Sequence, residues 1–317
     1  MRYAPPVRTV LLAGGTGGAK LAHGFQQVLP PGELTVIVNV ADDTDAFGLL
    51  VCPDLDTILY TLSGLADREQ GWGVAGDTHT ALDMLGRYGE ETWFSIGDTD
   101  LATHVHRANL LSQGLTLTDA SARMAIALDV PSHLVPATDD RLRTRVLTDA
   151  GELDFQAYFV QRQQADAVRG LRYDGAEAAA PSPAALAALE GAELVVIGPS
   201  NPLVSIGPIL AVPGMRDALL AASGRRVAVS GIVAGRALRG PADRMMETLG
   251  HEVSAAGVAS LYAGLVERFV IDEADAALAP RIEELGMAVS ILPTVMRDDA
   301  GRAALAASLL ELATLPA

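Results

Sequence analysis

The fold is decided by residues 8–43: Arg8-Thr-Val-Leu-Leu-Ala13, then Gly14-Gly-Thr-Gly-Gly-Ala-Lys20, a stretch to Val28, and Leu34-Thr-Val-Ile-Val-Asn-Val40 with Ala41-Asp42-Asp43. The first run is apolar without alternation, as a parallel strand covered on both faces requires. After the glycines, Leu21, Phe25 and Val28 recur at helical spacing. A second unbroken apolar run then ends in two aspartates. Strand, glycine segment, helix and strand open a doubly wound α/β domain. Its right-handed connection brings the glycines and aspartates to the same carboxyl edge of the sheet.

Downstream, Asp56–Ala66, Thr78–Tyr88, Asp100–Gln113 and Thr118–Leu128 carry apolar residues three and four apart, so helices are expected and no strand between them. Strands are expected at His133–Pro136, Arg143–Thr148 and Glu152–Val160, the last two joined by Asp149-Ala150-Gly151. Further strands at Glu193–Ile197, Arg226–Val229, Arg268–Ile271 and Met287–Ile291 alternate with helices near Met215–Ala222, Ala242–Leu249, Val258–Val266 and Ala303–Leu312. The expected architecture is a Rossmann-like, doubly wound, mainly parallel α/β sheet. Residues 1–53 and 131–317 form the core and 54–130 a helical insertion over the site.

The chain has 317 residues, with 23 Lys+Arg against 39 Asp+Glu and a formal net charge of −16. That balance argues against a nucleic-acid partner, which needs concentrated cations. An anionic ligand must be held by local devices: backbone amides, a helix N-terminus, a few cations or a bridging metal. One cysteine, Cys52, excludes an intrachain disulfide. Met1–Pro6 has no apolar signal core, and no run approaches the roughly 20 apolar residues of a membrane span. A soluble, cytoplasmic protein is expected. Lys20 is the chain's only lysine, and it stands in the glycine segment.

That segment is not a P-loop: Ala19 stands where glycine is required and Leu21 where Ser or Thr is. Nor does it complete G-x-G-x-x-G. It still lets amides at a helix N-terminus approach an anion, so Gly15, Thr16, Gly17, Gly18 and Lys20 are candidate phosphate ligands; a tight packing turn is the alternative. Asp42, Asp43, Asp45, Asp54 and Asp56 suggest a hard cation such as Mg²⁺, which takes one or two carboxylates plus phosphate oxygens. Asp54 and Asp56 also precede a helix, where capping explains one of them. In Gly97-Asp98-Thr99-Asp100-Leu-Ala-Thr103-His104, Asp100 fits an N-cap, and His104 a ligand contact or a core hydrogen bond. His104 and His106 point to different helix faces and make no metal pair. Gly198-Pro-Ser-Asn201-Pro-Leu-Val-Ser205-Ile-Gly-Pro208 follows a core strand at the ligand edge of the sheet. There Asn201 suits a purine edge or caps a turn.

These words, with Pro53-Asp-Leu-Asp-Thr57, Trp72-Gly-Val-Ala-Gly-Asp-Thr78, Gly114-Leu-Thr-Leu-Thr118, Asp139-Asp140 and Phe155-Gln156, resemble the 2-phospho-L-lactate transferase (CofD/FbiA) family of coenzyme F420 biosynthesis. The likeness runs in the family's order over roughly residues 8 to 265. It implies transfer of a 2-phospholactyl, phosphoenolpyruvyl or phosphoglyceryl group from a guanosine diphospho donor to a hydroxyl of the deazaflavin Fo. GMP is released, Mg²⁺ is required and the enzyme is a homodimer. On this resemblance Asp56 and Asp43 are catalytic, and Asp43 and Asp54 hold the metal. Gly198, Ser200, Asn201 and Ser205 meet the nucleotide, and Asp56, Asp98, Thr103 and His104 the acceptor. Arg107 is an available cation for the leaving group, and Trp72 and Trp93 are candidates to pack on the deazaflavin. Ser95 stands where members often carry a basic residue, and Gly231 where relatives tend to have Pro. Rival readings are a non-catalytic nucleotide-sugar-binding regulator and an NAD-dependent oxidoreductase with Asp42 on the ribose.

Overall fold

The computed structural model describes residues 7–314; the expectation for Met1–Pro6 lies outside them. Seven strands form one sheet: β1 (Thr9–Ala13), β2 (Leu34–Val38), β3 (His133–Pro136), β4 (Leu194–Ile197), β5 (Arg225–Val229), β6 (Arg268–Ile271) and β7 (Ala288–Ile291). Their order is β7-β6-β5-β4-β1-β2-β3 and every pairing is parallel. β1 and β4 have no exposed residue, which is what their unbroken apolar runs demand. The strand order reverses at β1, so the loops after β1 and β4 part there and open a crevice.

Helix α1 (Gly15–Val28) begins five residues earlier than the apolar spacing from Lys20 suggests. The glycines are its N-terminal turns rather than a loop. Gly24 lets α1 lie against the helix Asp299–Thr314, since a Cβ there would overlap the Arg302 carbonyl. Four further helices follow: α2 (Pro53–Ser63), α3 (Thr80–Arg87), α4 (Asp98–Ser112) and α5 (Leu117–Ala127). They are not one uniform insertion. α2 buries Leu55, Ile58, Leu59, Tyr60 and Leu62, and α5 buries Leu117, Ala120 and Met124, all in the main core. Between Ser63 and Ser95 no residue is buried.

Two expected elements differ. Glu152–Val160 is not one strand: Gly151–Asp154 is extended and Ala157–Gln161 is a π-helical turn. The turn stacks Phe155 on Phe159 with ring centroids 5.6 Å apart, a contact that an extended chain cannot make. A strand absent from the expectation, Val168–Asp174, joins Arg143–Thr148 and Gly151–Asp154 in a small antiparallel sheet. Its arginines pair with Asp149, Glu152 and Asp174 on the exposed face, so charge hid the strand pattern. The helix expected from Val258 starts at Ala255, where Ser254 caps it through Gly257 N at 3.0 Å. Among the described residues no single helix is long and apolar enough to cross a membrane.

Candidate active site

A cavity of about 650 Å³ lies at the carboxyl edge of the sheet, where the loops after β1 and β4 part. The two loops are stitched together by Ser200, whose hydroxyl donates to Gly14 O at 2.8 Å and accepts from Gly14 N at 3.2 Å. Glycine is required here for approach. A Cβ on Gly17 would overlap the Pro199 carbonyl oxygen, and one on Gly14 the Asp54 carboxylate. Gly15, Thr16, Gly17 and Lys20 line the cavity, as do Ser200, Asn201 and Ser205. Gly18 and Gly198 do not. Gly18 packs on Ala13 and Ser200, and Gly198 packs on Leu11 and Leu12. Lys20 is half-buried; burial, then Arg239 and Arg302, lower its pKa. No carboxylate pairs with it among the described residues.

Asp54 sits against the positive end of α1. Its Oδ1 accepts from Gly15 N at 2.8 Å and its Oδ2 from Asn39 Nδ2 at 2.9 Å. Burial pushes its pKa up to about 6. Asp42, not Asp43, turns to the cavity beside it. Burial raises Asp42 well above the usual carboxylate range, and Asp54 and Asp43 add to the shift. Asp43 lies behind the wall. Burial lifts it to about 8, with Arg143 and a Cys52 hydrogen bond opposing. One oxygen on each of Asp42 and Asp43 is buried without a partner. Crowded acceptor oxygens of this kind suit a hard cation. The described residues hold no cluster of three or more His, Cys, Asp or Glu that could bind one alone. The pair facing the cavity is Asp42 and Asp54, and the expected Asp43 does not line it.

Asp56 belongs to a buried network. Arg107, 2% exposed, pairs with its Oδ1, while Cys52 N donates to its Oδ2 at 3.3 Å. Arg107 also donates to Leu50 O at 3.2 Å and to His104 Nδ1 at 3.3 Å. Because a guanidinium can only donate, Nδ1 accepts. Nε2 lies 3.3 Å from Asp100 Oδ1. Tyr60 OH donates to the same oxygen at 2.7 Å. Burial works against the Arg107 charge, but Asp56, Cys52 and Asp43 outweigh it and raise its pKa. Arg107 is therefore the fixed counter-charge of Asp56 and does not line the cavity, whereas Asp56, Tyr60, Asp100 and His104 do.

Asp98 and Thr103 lie off the cavity. Asp98 caps α3, accepting from Ala81 N at 2.8 Å and Thr80 N at 3.1 Å. Asp77 caps α4 in return, through Thr99 N at 2.8 Å and Asp100 N at 3.0 Å. The cap expected of Asp100 therefore comes from Asp77, which frees Asp100 for the cavity. Trp72, Phe94, Phe155 and Phe159 form aromatic walls. Trp93 is held behind, edge-on to Phe94 at 5.6 Å. The Asn201 Oδ1 caps the turn Pro202–Ile206 through Leu203 N at 2.9 Å and Val204 N at 3.3 Å, so the capping role is the one observed. Sequence reasoning passed over Asn39, which ties Asp54 to Val204 O at 3.2 Å, and Arg239 and Arg297 on the cavity wall. Only Asn39 lay in a quoted motif.

Fold and site together define a doubly wound α/β protein whose switch-point cavity is lined by a glycine-rich helix start, a lysine and buried aspartates. A family model described as 2-phospho-L-lactate transferase CofD matches residues 9–297. The chain belongs to that family and is a transferase. It is 40% identical over 313 residues to a phosphoenolpyruvate transferase of Streptomyces griseus, covering 97% of this chain and 98% of that one. It is 39% identical over 287 residues to a 2-phospho-L-lactate transferase of Methanosarcina mazei, covering 90% and 94%. Relatives in the family transfer 2-phospholactyl or phosphoenolpyruvyl groups in F420 biosynthesis. A crystal structure of a UPF0052-family protein from Bacillus halodurans superposes with a TM-score of 0.62 at 16% identity, covering 98% and 99%; this likeness concerns the fold.

Proposed function

We propose that the protein transfers a 2-phospholactyl, phosphoenolpyruvyl or phosphoglyceryl group from a guanosine diphospho donor to a hydroxyl of the deazaflavin Fo, releasing GMP with Mg²⁺ bound. The observation that carries this reading is the meeting of Lys20, the α1 N-terminus, Asp42, Asp54 and Asp56 on one cavity. Such a transfer asks mainly for positioning and charge neutralisation. With the Gly15 amide spent on Asp54, the amides of Thr16 and Gly17 and the Lys20 ammonium hold the diphosphate. Asp42 and Asp54 would hold Mg²⁺, which supplies neutralisation of the phosphate charge. Ser200 and Ser205 line the nucleotide side, and Trp72, Phe94, Phe155 and Phe159 offer faces to the two ring systems.

Asp56, its direction set by Arg107, orients the acceptor hydroxyl and takes its proton. The acceptor oxygen bonds to the phosphorus next to the acyl group, the bridging P–O bond breaks, and GMP leaves. Asp100, Tyr60 and His104 stand beside it as acceptor contacts.

The test incubates the protein with Fo, Mg²⁺ and each of the three guanosine donors, with product mass as the readout. One donor gives a product heavier than Fo by the phospho-acyl group. Asp56→Asn loses transfer while GDP binding stays within about threefold, since nothing here assigns Asp56 to the diphosphate. No product from any donor would remove the function, and full activity of the variant would remove the role of Asp56.

A further inference from the structure

Arg239 reaches the cavity from the segment after the short hairpin Ile232–Val233/Arg236–Ala237. Its guanidinium donates to Gln70 O at 2.8 Å and Glu69 O at 3.0 Å. The next carbonyl, Gly71 O, accepts from Thr16 Oγ1 at 3.2 Å, at the start of α1. Three elements thus converge beside the phosphate cradle. Two cations, Lys20 and Arg239, are near enough for the charge of Arg239 to disfavour that of Lys20, and among the described residues no carboxylate pairs with either. In a chain of net charge −16 this local crowding of cations needs an explanation.

A diphosphate is already served by the α1 amides, Lys20 and a divalent cation. The donor must therefore bring a further anionic group close to its phosphate. Resting on the proposed function, the chemistry identifies it: the phospholactyl, phosphoenolpyruvyl and phosphoglyceryl groups each carry a carboxylate within two bonds of the carbon that bears the phosphate oxygen. We propose that Arg239 binds the acyl carboxylate of the donor and so determines which phosphate esters the enzyme accepts. Two of its five N–H groups are spent on backbone carbonyls, leaving three for the ligand. Its planar fork suits a carboxylate better than an ammonium does.

Calorimetry without acceptor compares guanosine diphospholactate with its carboxamide analogue, and GDP serves as the control. Wild type binds the carboxylate donor about 30-fold more tightly than the carboxamide, the scale of one hydrogen-bonded charge pair. Arg239→Gln reduces that ratio below about threefold and leaves GDP affinity within about threefold; Arg239→Lys recovers part of it. Arg297→Gln, at another cation of the wall, keeps the wild-type ratio. The proposal is overturned if wild type does not discriminate, or if Arg239→Gln still does. It is equally overturned if that variant weakens both donors and GDP alike, or if Arg297→Gln alone removes the discrimination. Absent turnover with discrimination intact would defeat the proposed function and leave this subsite standing. Turnover without discrimination would defeat only the subsite.

Discussion

Asp43 is a buried carboxyl group, and burial favours its protonated form. Its folded value of about 8 lies above the roughly 3.9 of an unfolded aspartate. The native state therefore holds a proton between those values that the unfolded chain gives up. The contribution is fully present below about pH 4 and is lost as the pH rises towards 8. An asparagine at this position cannot titrate, so the stability of Asp43→Asn relative to wild type should increase with pH. Between pH 5 and 8.5, in chelator, urea unfolding should show the gap widening in the variant's favour by at least about 1.4 kcal/mol, one unit's worth. A constant gap would mean that Asp43 is ionised in the native state. At the same scale, Asp54 was legible as an aspartate near glycines. Its bonds to Gly15 and Asn39 were not, because the partners are 39 and 15 residues away.

At the scale of elements, the approach of α1 to the loop after β4 is the contact on which the site depends. Gly17→Ala puts a methyl group into the Pro199 carbonyl oxygen. Neither partner can yield as a flexible side chain would, because one is backbone and the other is a helix packed on β1. The variant should lose about 1–3 kcal/mol of stability. GDP affinity should fall at least tenfold, since the amide cradle moves with the helix start. Thermal melts with GDP titration read both; unchanged GDP affinity would show that the cradle tolerates displacement. The glycine pattern foretold a close approach, yet it could not tell Gly17 at the cavity from Gly18 and Gly198 in the packing. Gly17 and Gly18 have no room for a Cβ, and at Gly198 one would fit only tightly. Only the neighbours reveal whether the space is left to a ligand or filled by Ala13 and Leu11.

For the whole molecule, the stretch between Ser63 and Ser95 contrasts with everything around it. Without a buried side chain it is held by α3–α4 capping, by Arg239 on the carbonyls of Glu69 and Gln70, and by Arg68 on Asp299. Segments with few buried contacts open at low free-energy cost. Limited trypsin digestion should therefore cut first at Arg87 or Arg68, leaving a nicked core that keeps its far-ultraviolet circular dichroism. Saturating GDP with Mg²⁺ should slow the cut at Arg68 several-fold, because Thr16 Oγ1, at the start of α1, donates to Gly71 O and joins this stretch to the phosphate cradle. First cuts in the small sheet of Arg143–Asp174 instead would contradict this ordering of local stability.

What the sequence by itself determined is the frame: an α/β sheet of buried apolar strands, a glycine-rich helix start and aspartates at its carboxyl edge. Strand burial, helical spacing and glycine-dependent approach are written in residues close together along the chain, and the Gly14–Lys20 and Pro53–Thr57 words sufficed to suggest the family. The tertiary structure alone decided which aspartates face the cavity. It turned Asp42 inward and Asp43 away, tied Asp56 to Arg107, gave Asp98 to a helix cap and freed Asp100. It also brought Arg239 to Lys20 from more than two hundred residues away. Side-chain direction and charge environment depend on through-space neighbours, and local spacing carries no record of them.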